Sequence, residues 1–133
     1  LLELWLQQRD DVVRVEPYYE TDDGTVLDVA GFDKDGDLVW AGEAELASNN
    51  RHAPVEDYDK LSAVDADAIW AFNNRETALD VLDSLADADR IDERVSGRAA
   101  RSFATIRDAV DELDAPGLTT VRGFKNLDQE LNQ

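Results

Sequence analysis

Residues 25–46 read TVLDVAGFDKDGDLVWAGEAEL. Apolar and polar positions alternate on both sides of Asp33-Lys34-Asp35-Gly36-Asp37, a run rich in residues that tolerate tight turns. The pattern predicts a β-hairpin with Asp28 on its first strand and Glu43 and Glu45 on its second. Side chains alternate along a strand, so Leu38, Trp40, Gly42, Ala44 and Leu46 share one face, and Val39, Ala41, Glu43 and Glu45 share the other. Two carboxylates then stand one pleat apart, and pairing across the hairpin brings Asp28 toward them. Three carboxylates converging at the end of a sheet suit a divalent cation.

The rest of the composition narrows the function classes. A chain of 133 residues, 43% of them hydrophobic, supports one domain with a core of its own. No long apolar run predicts a membrane span, and no signal peptide is visible, so the expected location is cytoplasmic. The chain contains no Met, and the expectation is a domain cut from a longer protein, with the other domains of the parent as partners. Absence of Cys excludes disulfides, thiol catalysis and cysteine zinc sites, and His52 alone builds no histidine metal site. Acidic residues number 31 against 13 basic ones, for a net charge of -18, with lysine only at Lys34, Lys60 and Lys125. This composition is similar to that of proteins from extreme halophiles. In molar salt the Debye length is about 3 Å, so net charge argues weakly against a nucleic-acid partner; no basic patch argues for one.

Along the chain, residues 1–8 have helical spacing at Leu1, Leu2, Trp5 and Leu6, and residues 12–20 are β-rich with Pro17 suited to an edge. A turn at 21–24 leads into the hairpin. Pro54 opens a helix with Glu56 and Asp57 in its first turn and Val55, Tyr58 and Leu61 facing inward. AIWAF at 68–72 lacks alternation, which predicts a strand covered on both faces. Asn73 as N-cap with Glu76 as its capping-box partner starts the next helix, which runs to Leu85. A charged connector at 87–97, a helix over 98–113, a strand over 118–124 and a short helix capped by Asn126 complete the expected order.

The α-β-β-β-α-β order of the first 87 residues, with Leu27-Asp28-Val29, Glu43-Ala44-Glu45 and Tyr58-Asp59-Lys60-Leu61, resembles the PD-(D/E)XK nuclease superfamily. The resemblance implies an α/β (α+β) restriction-endonuclease-like or Holliday-junction-resolvase-like core, a mixed central sheet flanked by helices, with 98–133 as a C-terminal extension. It implies a metal-dependent DNA endonuclease, with Mg²⁺ or Mn²⁺ held by Asp28 and Glu43. Glu45 occupies the position of the family's lysine, where it would bind the same ion or a second one. Lys60, from the following helix, would orient water or contact phosphate, and Glu3 matches a helix acid that the family sometimes uses. Asn49, Asn50 and Arg51, which follow the strand with the glutamates, read either as phosphate contacts or as an ordinary Asn-rich loop, and nucleases of this fold often pair as homodimers.

Plainer readings stand beside these. Asp28 suits an exposed strand, Glu43 and Glu45 a solvated edge strand, and Lys60 and Glu3 solvated helix faces. The departure at Glu45 also fits a catalytically inactive module of the same fold, serving DNA binding or protein contact, and an unrelated α+β interaction module stays open. The 33–37 turn looks calcium-like, but its glycine is misplaced and Ala44 stands at the final ligand position, so it is no EF-hand. No phosphate loop, Ser-His-Asp arrangement or nucleic-acid-binding module is present.

Overall fold

The computed structural model describes residues 2–45, 53–92 and 102–131. A five-stranded mixed sheet in the order β1-β2-β3-β4-β5 carries helices on both faces. The chain runs through α1 (Leu2–Gln7), β1 (Arg14–Glu20), β2 (Val26–Phe32), β3 (Leu38–Glu45), α2 (Ala53–Ala63) and β4 (Asp67–Phe72). It continues through α3 (Arg75–Asp87), α4 (Phe103–Asp111), β5 (Thr120–Gly123) and α5 (Phe124–Leu131). β1, β2 and β3 form an antiparallel meander. β4 runs parallel to β3 and β5 parallel to β4, each reached through helices, as parallel pairing requires.

The sheet separates two cores. On one face Tyr58 and Leu61 of α2, Leu82 and Leu85 of α3 and Ile106 and Val110 of α4 pack on Ala30, Ala41, Trp70 and Phe72. On the other, Trp5 and Leu6 of α1 and Leu127 of α5 pack on Val29, Ile69 and Ala71. The unalternating run of β4 is therefore covered on both sides, with Ala68 to Phe72 wholly buried. Pro17 lies on β1, at the edge, where its missing N–H disrupts no central ladder.

β3 is not an edge. It pairs with β2 on one side and β4 on the other, which excludes the solvated-edge reading of Glu43 and Glu45. Helix boundaries also differ from expectation. Asn74, not Asn73, caps α3 by accepting the Thr77 N–H, because both asparagines are used to leave β4 before the helix begins. α4 starts at the Ser102–Thr105 capping box and ends at Asp111, while residues 98–101 of the expected helix lie outside the described residues. The last strand is shorter than 118–124, and α5 begins directly at Phe124 rather than at Asn126.

Gly42 faces Val29 across the hairpin pair. A Cβ there would lie 2.6 Å from Val29 Cγ1 and 3.2 Å from Ile69 Cγ2. Gly42→Ala is expected to lower stability by about 1–3 kcal/mol, the cost of overpacking a filled core, measurable by denaturant unfolding.

Candidate functional site

The hairpin splits at the end that carries the acids. β2 and β3 pair as far as Val29 opposite Gly42. One step further, the Ala44 N–H donates to Asp28 Oδ2 at 2.9 Å instead of to a main-chain carbonyl. Asp28 thus lies in the seam between the strands. In the same region β2 turns over: Leu27 joins the core beneath α2, whereas Val29 joins the core beneath α1.

α2 covers this seam. Lys60 Nζ donates to the Val26 carbonyl at 2.7 Å, and lies 2.5 Å from Glu43 Oε1 and 3.4 Å from Asp57 Oδ1. Asp57 precedes Lys60 by one helical turn, so both reach the seam from one face. Glu43 is within hydrogen-bonding reach of Asp28 and Glu45 of Asp57, and the charges of Glu43 and Asp28 also act on Glu45. Four carboxyl groups and one ammonium are gathered here.

Both glutamates are buried, at 2% and 7% exposure. One oxygen of each, Glu43 Oε1 and Glu45 Oε1, is shielded from solvent. The Lys60 ammonium, 2.5 Å away, serves Glu43 Oε1, whereas Glu45 Oε1 has no donor. Buried carboxyl oxygens without donors are costly. Their ionisation reflects that cost. Burial, reinforced by Asp28, pushes Glu43 up to about 8, with Lys60 offsetting only part of the effect. Burial, then Asp57, Glu43 and Asp28, pushes Glu45 up to about 9. Burial works against the Lys60 charge, but Glu43 and Asp57 outweigh it and raise its pKa. Near neutral pH the glutamates therefore hold protons.

Asp28, Glu43, Glu45 and Lys60 are thus brought together. Asp57 joins them although its sequence position suggested only a helix-dipole role; its spacing from Lys60 was the available signal. Glu3 does not join: it is exposed on α1, which packs against the opposite face. Asn49, Asn50, Arg51 and His52 lie outside the described residues.

A second acidic group occupies the other end of the hairpin. Asp33, Asp35 and Asp37 place carboxylate oxygens within 4.8 Å of one another, close enough to share a cation, a spacing that Asp28, Glu43 and Glu45 do not reach. Asp33 Oδ1 accepts the Asp35 and Asp37 N–H groups at 2.9 and 3.0 Å, so the turn itself accounts for that clustering. A cavity of about 960 Å³ opens near the start of β4, lined by Asp11, Asp65, Asp67, Asp111 and Asp114 among others, and includes none of the seam residues. No described helix is long and apolar enough to cross a membrane.

Comparison with protein-family models, with curated proteins and with solved structures finds no match. The functional reading therefore rests on the chemistry of the seam.

Proposed function

We propose that this domain hydrolyses phosphodiester bonds in DNA, with Mg²⁺ or Mn²⁺ held by Asp28, Glu43 and Glu45. The observation that carries the reading is the buried pair Glu43 and Glu45, the latter with an oxygen that has no donor, set beside Asp28 where the hairpin opens. The order of α1 to β4, three antiparallel strands, a helix and a parallel strand, supports a restriction-endonuclease-like core. A divalent cation supplies a water of lowered pKa and neutralises charge on the scissile phosphate.

The chain's own residues do the rest. Glu43 and Glu45 would hold the ion as carboxylates and so would have to give up their protons to it. Asp28 is fixed by the Ala44 N–H, so its second oxygen is aimed rather than free to rotate. Glu45 cannot donate positive charge, and Lys60 takes over that role from α2, directed into the seam by Asp57. Its ammonium orients the attacking water or meets a phosphate oxygen.

The test is Mn²⁺-dependent cleavage in molar KCl, offered single-stranded, duplex and branched DNA. Wild type is expected to cut and Asp28→Asn to fail; equal cleavage by the two would sink the mechanism. One observation favours a second reading, an inactive module of this fold used for DNA binding or protein contact. Glu45 replaces the family lysine, and all three acceptors around Lys60 come from the protein. On that reading the folded wild type binds neither Mg²⁺ nor Mn²⁺ and does not cut. The other domains of a longer parent protein, or a second copy in a homodimer, would then be its partners.

A further inference from the structure

One turn of α2, Asp57 to Lys60, is held on three sides. Asp57 and Lys60 face the seam. Tyr58 faces the core, and Gly117 packs directly on it: a Cβ added at Gly117 would lie 2.7 Å from the Tyr58 carbonyl oxygen and 3.0 Å from its ring. The Gly117 carbonyl is itself fixed, because it accepts the buried Trp70 indole N–H at 2.8 Å. Asp59 turns to a third side and meets Arg90, whose Nε and Nη2 donate to its two oxygens at 2.7 and 3.0 Å.

The end of α3 places Arg90. Asp89 is left-handed, with φ of 59°; its N–H donates to the Ala86 carbonyl and the Arg90 N–H to the Leu85 carbonyl. This is a Schellman ending, with aspartate where glycine is commonest. Arg90 Nη1 donates back to the Ala88 carbonyl at 2.8 Å, so the guanidinium is committed at all three nitrogens and its planar fork fixes the direction of Asp59. The side chains of Arg90 and Asp59 are 37% and 50% exposed, so the pair adds little to stability. Its effect is geometric. A helix anchored on its core side alone can roll about its axis, and a roll of about 10° carries an atom about 6 Å from the axis through about 1 Å.

We infer that Asp59, Arg90 and Gly117 are positioning residues, which keep α2 from rolling and so hold the Lys60 ammonium on the Val26 carbonyl and beside Glu43. Its consequence for catalysis rests on the nuclease reading above. Arg90 and Gly117 both follow the α1-to-β4 core in the chain, so the C-terminal part of the domain has a task at a seam to which it contributes no side chain. Displacing a catalytic group by about 1 Å costs up to about 10²-fold in rate.

The experiment is acetylation of amines on the folded protein in molar KCl, read by peptide mass spectrometry at Lys34, Lys60 and Lys125, the only lysines in the chain. Lys34 and Lys125 are exposed and serve as internal standards. Lys60 of wild type is expected to react more slowly than either. Asp59→Asn and Arg90→Lys, which lose the fork at little cost in volume or folding, are expected to speed Lys60 by about 10-fold, the scale of loosening one charged hydrogen bond, and to leave the standards unchanged. Gly117→Ala, which drives a methyl against Tyr58, acts in the same direction; if it does not fold, the two surface variants decide. A clamp that served stability alone would lower the melting temperature and leave Lys60 slow below it. In the cleavage assay kcat falls by about 10-fold or more while KM stays within about two-fold. Lys60 equally slow in wild type, Asp59→Asn and Arg90→Lys would overturn the inference, as would wild-type Lys60 reacting as fast as Lys34. The two claims fail separately. Cleavage that needs Glu43, with Lys60 unmoved by these variants, removes this inference alone; Lys60 released by Asp59→Asn in a protein that never cuts removes the nuclease alone.

Discussion

Glu43→Gln is expected to abolish divalent-cation binding and to lower DNA cleavage by about 10³-fold, since a metal ion contributes several kcal/mol of transition-state stabilisation and each 1.36 kcal/mol is a decade in rate. The substitution preserves volume and removes only the ability to carry charge, so packing around it changes little. Its effect on the fold is small for a specific reason. Lys60 loses one ion-pair partner but keeps the Val26 carbonyl and Asp57. A buried pair broken on one side ordinarily costs about 3–5 kcal/mol because a lone charge is left behind; here the lysine is not left alone. Lys60→Met makes the complementary case. Glu43 then has no cation beside it, but it already favours its proton up to about pH 8, so its side chain simply stays uncharged there. Folding should survive at neutral pH while cleavage falls by about 10²-fold or more, the scale for losing one preorganised donor. Calorimetric titration of Mn²⁺ separates the two variants: Glu43→Gln loses binding, and Lys60→Met retains or strengthens it. Unchanged Mn²⁺ binding by Glu43→Gln would place the metal elsewhere, with the Asp33, Asp35 and Asp37 turn as the next group to examine.

Much of this site is legible in the sequence because it depends on period-two alternation and on a turn. The polar turn at 33–37 sets the hairpin, and alternation puts Glu43 and Glu45 on one face with Asp28 on the facing strand. The unbroken AIWAF run announces a doubly covered strand for the same reason: no position in it tolerates water. What the sequence hides is three-dimensional. A strand bearing two glutamates looks like a solvated edge until β4 is seen to pair beyond it. The opening of the seam depends on the Asp28 carboxylate replacing a main-chain acceptor for Ala44, which no local propensity encodes. Asp57 looks like an ordinary first-turn acid, and only its one-turn spacing from a scarce lysine hints at more. Tyr18 is a good strand former, and nothing in its neighbours signals a positive φ.

Stability should fall as pH rises from about 5 to 9 in the presence of a chelator, and added Mg²⁺ or Mn²⁺ should cancel most of that fall. Glu43 and Glu45 titrate near 4.5 when unfolded and near 8 and 9 when folded. Between those limits the folded state binds more protons than the unfolded one, so each group's contribution is complete below the unfolded value and is lost as pH climbs through the folded value. The slope is about 1.4 kcal/mol per pH unit for each glutamate while it stays protonated only in the folded chain. The groups facing them do not reverse the sign. Asp28 and Asp57 add negative charge that favours the protons further, and Lys60, whose pKa is raised above 10.5, keeps its charge throughout the window. This trend opposes that of most acidic proteins, in which paired carboxylates make alkaline conditions the more stable side. Thermal melts at successive pH values in molar KCl, with chelator and with metal, measure it directly; molar salt suppresses the surface repulsion from a net charge of -18, leaving the buried pair as the dominant titrating element. A gap between the two melting curves that widens with pH would mark cation-for-proton exchange at the seam. Stability that instead rises with pH would show Glu43 and Glu45 already ionised and satisfied by Lys60 alone, and the argument for a divalent cation between these strands would lose its physical basis.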